Sequence, residues 1–93
     1  MLIEYDAAKD AANLAKHGVS LALAADFEWD TACIEEDRRF EYDEQRFKAT
    51  GYIGMRLYVL IYCLPDDDDD DETTRVISLR PAEPKECRDY AET

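Results

Sequence analysis

The chain has 93 residues, enough for one domain around one hydrophobic core. Hydrophobic residues make up 46% and aromatics 11%, so a packed fold is expected rather than disorder. With 23 acidic residues against 11 basic ones the formal net charge is −12. That balance argues against broad, charge-driven nucleic-acid binding and against docking on anionic membranes.

No apolar run approaches the ~18–20 residues that span a bilayer. The opening Met1-Leu-Ile-Glu-Tyr-Asp6 lacks the positive region and apolar stretch of a signal peptide, so the expected compartment is the cytoplasm. Cys33, Cys63 and Cys87 are odd in number and show no CxxC spacing. Reduced, partly buried thiols are expected, with no metal and no cofactor.

Leu2 to Tyr5 alternates and opens with a short strand. Asp6 then caps a helix over Ala7 to Lys16, because its carboxylate accepts the orphan N–H groups of a first turn. Ala7, Ala11, Leu14 and Ala15 share a side at 3.6 spacing and are expected inward. Gly18 stands where a left-handed residue would end the helix. Ser20 can cap a second helix over Leu21 to Glu28, with Leu21, Ala24, Ala25 and Trp29 facing inward.

Thr31 to Glu36 reads as a strand entry, and Arg38 to Glu44 as a charged turn. Arg46 to Ile53 alternates Phe47, Ala49 and Gly51 against Lys48, Thr50 and Tyr52, which is a strand pattern. Gly54 marks a turn. Leu57 to Leu64 is the most apolar run, and its aromatic and β-branched content suits a central strand closed by Pro65. Asp66 to Asp71 with Glu72 make seven consecutive acids, a self-repelling block expected to be a solvated loop. That run lacks the spacing and glycine of a calcium loop. Thr73 to Leu79 returns as a strand, and after Pro81 and Pro84 a last helix runs over Lys85 to Glu92. The order β-α-α-β-β-β-β-α implies an α+β domain over residues 1–93, with two N-terminal helices, an antiparallel sheet of four to five strands and a short C-terminal helix.

Several stretches carry a resemblance. They are Asn13-Leu-Ala-Lys-His-Gly-Val-Ser20, Asp26-Phe-Glu-Trp-Asp-Thr-Ala32, and Glu44-Gln-Arg-Phe47 with Gly51. Arg56-Leu-Tyr-Val-Leu-Ile-Tyr62, Arg75-Val-Ile-Ser-Leu-Arg80, Ala82, Glu86 and Tyr90 complete them. Together, in this order, they resemble the BrnT family of bacterial type II toxins. The resemblance implies a RelE-like fold and a metal-independent ribonuclease acting on RNA. It also implies neutralisation by a BrnA-like antitoxin, contact with DNA only through that antitoxin, and a homodimeric arrangement as one option. The expected chemistry is attack of a ribose 2′-hydroxyl on the neighbouring phosphodiester, which needs a proton acceptor, a proton donor and cations.

The chain departs from that pattern at Pro81, Glu83, Pro84, Asp89 and the Asp66 to Asp71 run, each of which removes positive charge or adds negative charge. An attenuated protein that keeps the fold and the antitoxin surface is therefore the alternative expectation.

His17 is the lone histidine, the one side chain whose ordinary pKa lies near neutrality. It reads either as a proton carrier or as a helix C-terminal cap. Arg80 reads as a phosphate grip or as the partner of Glu83, Glu86 or another acid. Arg46 reads as a second cation or as a cross-strand partner. Glu86 reads as a base, as an orienter of an arginine, or as a rim residue. The catalytic candidates are thus His17, Arg46, Arg80 and Glu86. The RNA-binding candidates are Lys16, Arg56, Arg75 and Tyr90, of which Tyr90 reads equally as a helix residue packed on the sheet. Tyr42, Tyr52, Tyr58 and Tyr62 are offered as a stacking surface, although alternation sends some of them to the core. Phe27 and Trp29 read as core or antitoxin contacts.

Overall fold

A computed structural model of the chain describes residues 2–38, 45–64 and 73–92. The charged turn over 39–44 and the acidic block over 66–72, with Pro65, lie outside the described residues. The elements are β1 (Leu2–Glu4), α1 (Ala7–His17), a 3-10 helix (Leu21–Asp26), β2 (Cys33–Glu36), β3 (Arg46–Ile53), β4 (Arg56–Cys63), β5 (Thr73–Pro81) and α2 (Pro84–Ala91).

The strands form one five-stranded sheet in the order β1-β5-β4-β3-β2. The apolar β4 is central, as its composition predicts. The sheet is mixed, because β1 pairs with β5 in parallel, Leu2 opposite Thr73 and Glu4 opposite Arg75. This corrects the expectation of a purely antiparallel sheet. The helix α1 carries the chain back after β1, so β1 enters the sheet pointing the same way as β5. The β2–β3, β3–β4 and β4–β5 pairs are antiparallel. A register shift at Ile61/Tyr62 brings Val76 opposite Tyr62, leaving Ile77 as the extra residue of a bulge.

Strand alternation splits the sheet into two faces. One is apolar: Ala49, Ile53, Leu60, Tyr62, Val76 and Leu79 pack with Leu21, Ala24 and Phe27 from the 3-10 helix and its exit. Each fully buried leucine there contributes on the order of 1.5–3 kcal/mol. Trp29 leans on this cluster, edge-on to Phe27 and to Tyr62, so both Phe27 and Trp29 belong to the core side. Gly51 is what lets this layer lie so close. A Cβ there would stand 2.8 Å from Phe27 Cζ, 3.1 Å from Ala32 Cβ and 3.3 Å from the Glu28 carbonyl oxygen.

Two helical expectations change. The second N-terminal helix is a six-residue 3-10 turn rather than an α-helix to Glu28. At three residues per turn Leu21, Ala24 and Phe27 line up inward, so all three are buried and Ala25 faces out. In α1, Asp6 caps Ala8 and Lys9 and Gly18 takes φ 73° as predicted. Its alanine side is exposed, however, and Leu14 is 52% accessible.

The inward face of α1 is polar: Asp10, Asn13 and His17. It meets the edge of β5 beyond the reach of β1, where backbone groups need partners more than apolar area needs cover. The Asn13 amide donates to the Leu79 carbonyl at 2.8 Å and to the Val19 carbonyl at 2.9 Å, and its oxygen accepts from Leu79 N–H at 3.1 Å. Asp10 accepts from Leu21 N–H at 2.7 Å and from the Ser20 hydroxyl at 3.0 Å.

Candidate functional site

The second face of the sheet carries Lys48 and Thr50 of β3, Val59 and Ile61 of β4, and Ser78 and Arg80 of β5. It is not roofed by the apolar layer. A cleft of about 410 Å³ opens there, with Val59 and Ile61 as its apolar floor. Lys16 and His17 form one wall, delivered by the C-terminal turn of α1. Glu35, Glu36, Asp37 and Arg38 form the other, at and beyond the end of β2. Lys48 and Arg80 project between them.

The position of His17 follows from the Asn13 bonds. Asn13 and His17 are one helical turn apart on the same face, while Leu79 and Arg80 are neighbours on β5. Fixing Asn13 on Leu79 therefore sets His17 beside Arg80. The His17 imidazole is held below its ordinary pKa of 6.5, first by desolvation and then by the charges of Lys16 and Arg80. The helix terminus alone would favour the imidazolium form; burial and the two cations outweigh it. His17 is thus mostly neutral at pH 7.

Arg80 is engaged by α2. Its guanidinium donates to both carboxylate oxygens of Glu86, at 2.7 and 2.9 Å. Lys48 Nζ lies 3.3 Å from the same carboxylate and 3.8 Å from Glu35. Glu86 also accepts from the Glu83 N–H at 2.8 Å, completing a capping box that starts α2 behind Pro84. Its carboxyl is held well below the usual range, at about 2, chiefly by the Arg80 hydrogen bonds and against the opposing effect of burial. A carboxylate that acidic is a poor proton acceptor at neutral pH and a strong electrostatic anchor.

Of the sequence candidates, His17, Lys16 and Arg80 meet in this cleft, and Glu86 stands directly behind Arg80. Arg46 shares the Lys48 face of β3 two residues earlier but does not line the cleft. Its carbonyl accepts from Asp37 N–H at 2.8 Å, which ties the segment after β2 to β3. Arg56 starts β4 and Arg75 stands on β5 opposite Cys63, at the other end of β4, and both lie outside the cleft. Arg56 sits 5.9 Å over the Tyr58 ring, and Arg75 Nε is 3.0 Å from Glu4.

Tyr90 donates its hydroxyl to the Thr31 carbonyl at 2.8 Å and meets Tyr52 edge-on at 5.6 Å. It fastens α2. The proposed tyrosine surface divides accordingly: Tyr62 stacks with Phe47 in the core, Tyr52 meets Tyr90, and Tyr42 falls outside the described residues. Cys63 is buried, while Cys33 and Cys87 are exposed, contrary to the expectation of partial burial for all three.

Lys48 is one of the cleft residues that the sequence reading passed over, along with Arg38 and the acids Glu35, Glu36 and Asp37. The signal for Lys48 was available: it alternates out of phase with Phe47, Ala49 and Gly51, as a cation on the solvent side of an interior strand.

A small α+β chain thus gathers an imidazole, several cations and the carboxylates of Glu35, Glu36 and Asp37 on the open side of its sheet. The family model that matches it describes the ribonuclease toxin, BrnT, of type II toxin–antitoxin systems, and the match runs over residues 5–86. The chain therefore belongs to the BrnT toxin family. Membership implies a ribonuclease toxin with an RNA target and an antitoxin partner. A comparison with curated proteins finds no match. Among the described residues no helix is long and apolar enough to cross a membrane.

Proposed function

We propose that residues 1–93 act as one RelE-like domain, a metal-independent endoribonuclease of the cytoplasm that a BrnA-like antitoxin silences by covering the cleft. The observation that carries this reading is the meeting of His17, Lys16, Lys48 and Arg80 in one cleft of an otherwise anionic chain. The neutral imidazole of His17 takes the proton of a ribose 2′-hydroxyl. The freed oxygen attacks the adjacent phosphorus and the 5′-oxygen leaves, taking a proton from water at the open rim. A 2′,3′-cyclic phosphate and a 5′-hydroxyl result. Arg80 and Lys48 hold the non-bridging oxygens, whose charge grows in the transition state. Lys16 contacts a flanking phosphate, and Arg46 extends the cationic side of β3 beyond Lys48. Before substrate arrives, Glu86 holds the Arg80 fork in place.

The test is cleavage of single-stranded RNA by antitoxin-free protein at low salt and neutral pH. His17→Ala should lower the rate by roughly 10²–10⁴-fold. The rate of the parent should fall as pH drops through the lowered His17 pKa, because protonation removes the base. Chelation of divalent ions should leave it unchanged. RNA left intact by the parent overturns the reading.

One observation favours the attenuated alternative, in which the chain keeps antitoxin binding with little catalysis: Arg80 is fully forked onto Glu86, and Glu35, Glu36 and Asp37 share the cleft wall. Intact RNA together with tight antitoxin binding would select it.

A further inference from the structure

The cleft's two inner cations already hold an anion, and it belongs to the chain. The Glu86 carboxylate presents two oxygens to Arg80 at 2.7 and 2.9 Å and one to Lys48 at 3.3 Å. A phosphodiester presents two non-bridging oxygens in much the same manner, and the guanidinium fork suits either group. We propose that Glu86 is an intramolecular stand-in for substrate phosphate, so that α2 works as an ionic latch which an incoming phosphodiester must displace. The inference rests on the reading of the cleft as a phosphodiester site.

The attachment of α2 fits a latch. None of its residues is buried. Only Glu86 and Tyr90 are even half-buried, and the other six are exposed. Among the described residues, the helix meets the sheet side through Glu86 on Arg80 and Lys48, and through Tyr90 on the Thr31 carbonyl and Tyr52. Glu86 needs no new partner when Arg80 lets go, because its Oε1 also accepts the Glu83 N–H of the capping box. The carboxylate can therefore give up the guanidinium and remain the N-terminal anchor of α2. The exchange costs one ion pair and gains another, so its balance is set by the charge of the incoming group. A phosphate chain, with further anions to place near Lys16 and Arg38, has the advantage over an isolated anion.

The experiment uses Glu86→Gln in the full chain. Glutamine serves in a capping box as glutamate does, so α2 keeps its start while the negative charge is gone. Two probes are titrated and followed by NMR: inorganic phosphate, and a 2′-deoxy oligonucleotide that cannot be cleaved through a 2′-oxygen. The latch predicts roughly ten-fold tighter binding of both by the variant than by the parent. It also predicts that saturating the parent with the oligonucleotide accelerates amide exchange in α2. Unchanged or weaker binding by the variant overturns it, and so does an α2 whose exchange ignores the oligonucleotide. RNA cleavage by the parent is read separately. A variant that binds phosphate more tightly in a chain that never cuts RNA leaves the latch standing and removes the nuclease. A parent that cuts RNA with no gain in the variant does the reverse.

Discussion

The two faces of the sheet are built from the same strands and answer to different physics. On one, Leu60 and Leu79 meet Leu21 and Ala24 with almost no accessible surface. On the other, one residue on from Leu79 in β5 and across β4 on β3, Arg80 and Lys48 share a carboxylate at hydrogen-bond distance. Apolar burial fixes the first face without regard to direction, and the fold's stability resides there. Directional charge pairing marks the second, where Glu86 holds both Arg80 and Lys48. The apolar core and the candidate site are thus separated by the thickness of one backbone.

That separation can be broken at several points, and the expected effects fall off in order. Leu60→Ala should cost about 2–5 kcal/mol, seen as a lower urea midpoint, while phosphate binding by the folded fraction is unchanged. Asn13→Ala should cost about 2 kcal/mol, because it strips partners from both backbone groups of Leu79. Unlike the leucine change it should also slow RNA cleavage, since it frees the helix that carries His17. A loss of stability with cleavage intact would break the link drawn between Asn13 and His17.

Acid should act through the charged face. Glu86 titrates at about 2 in the folded chain against an ordinary 4.5, so its contribution is fully present above about pH 4.5 and is lost as pH falls through about 2. The urea midpoints of parent and Glu86→Gln should accordingly converge by up to about 3 kcal/mol of stability across that window. Tyr90→Phe should do least, about 0.5–1 kcal/mol, read as faster amide exchange confined to α2.

Much of the scaffold was legible because local chemistry decided it. Asp6 and Gly18 bracket α1 through the hydrogen-bond needs of helix ends, and β3 and β4 follow from alternation and β-branched content. Arg80 and Glu86 were each recognisable as charged groups near the sheet's end, and an ion pair between them was one of the readings open for each; no periodicity selects it, because it arises between separate elements. The inward side of α1 was misjudged for a related reason. Hydrophobic spacing selects Ala11 and Leu14, whereas the helix lies on a strand edge where Asn13 answers unpaired backbone groups. The parallel pairing of β1 joins the two ends of the chain, so three residues of sequence could not announce it. The length of the 3-10 helix, and with it the inward turn of Phe27, is set by packing on the sheet rather than by helix propensity.

Gly51 has a reach larger than its size. The loop it admits ends at Thr31, whose carbonyl is the berth for the Tyr90 hydroxyl. One methyl group added at Gly51 would press on Phe27 and Ala32 and lift that berth away from the sheet. A hydrogen atom at the middle of the third strand thereby gauges the height at which the final helix rides.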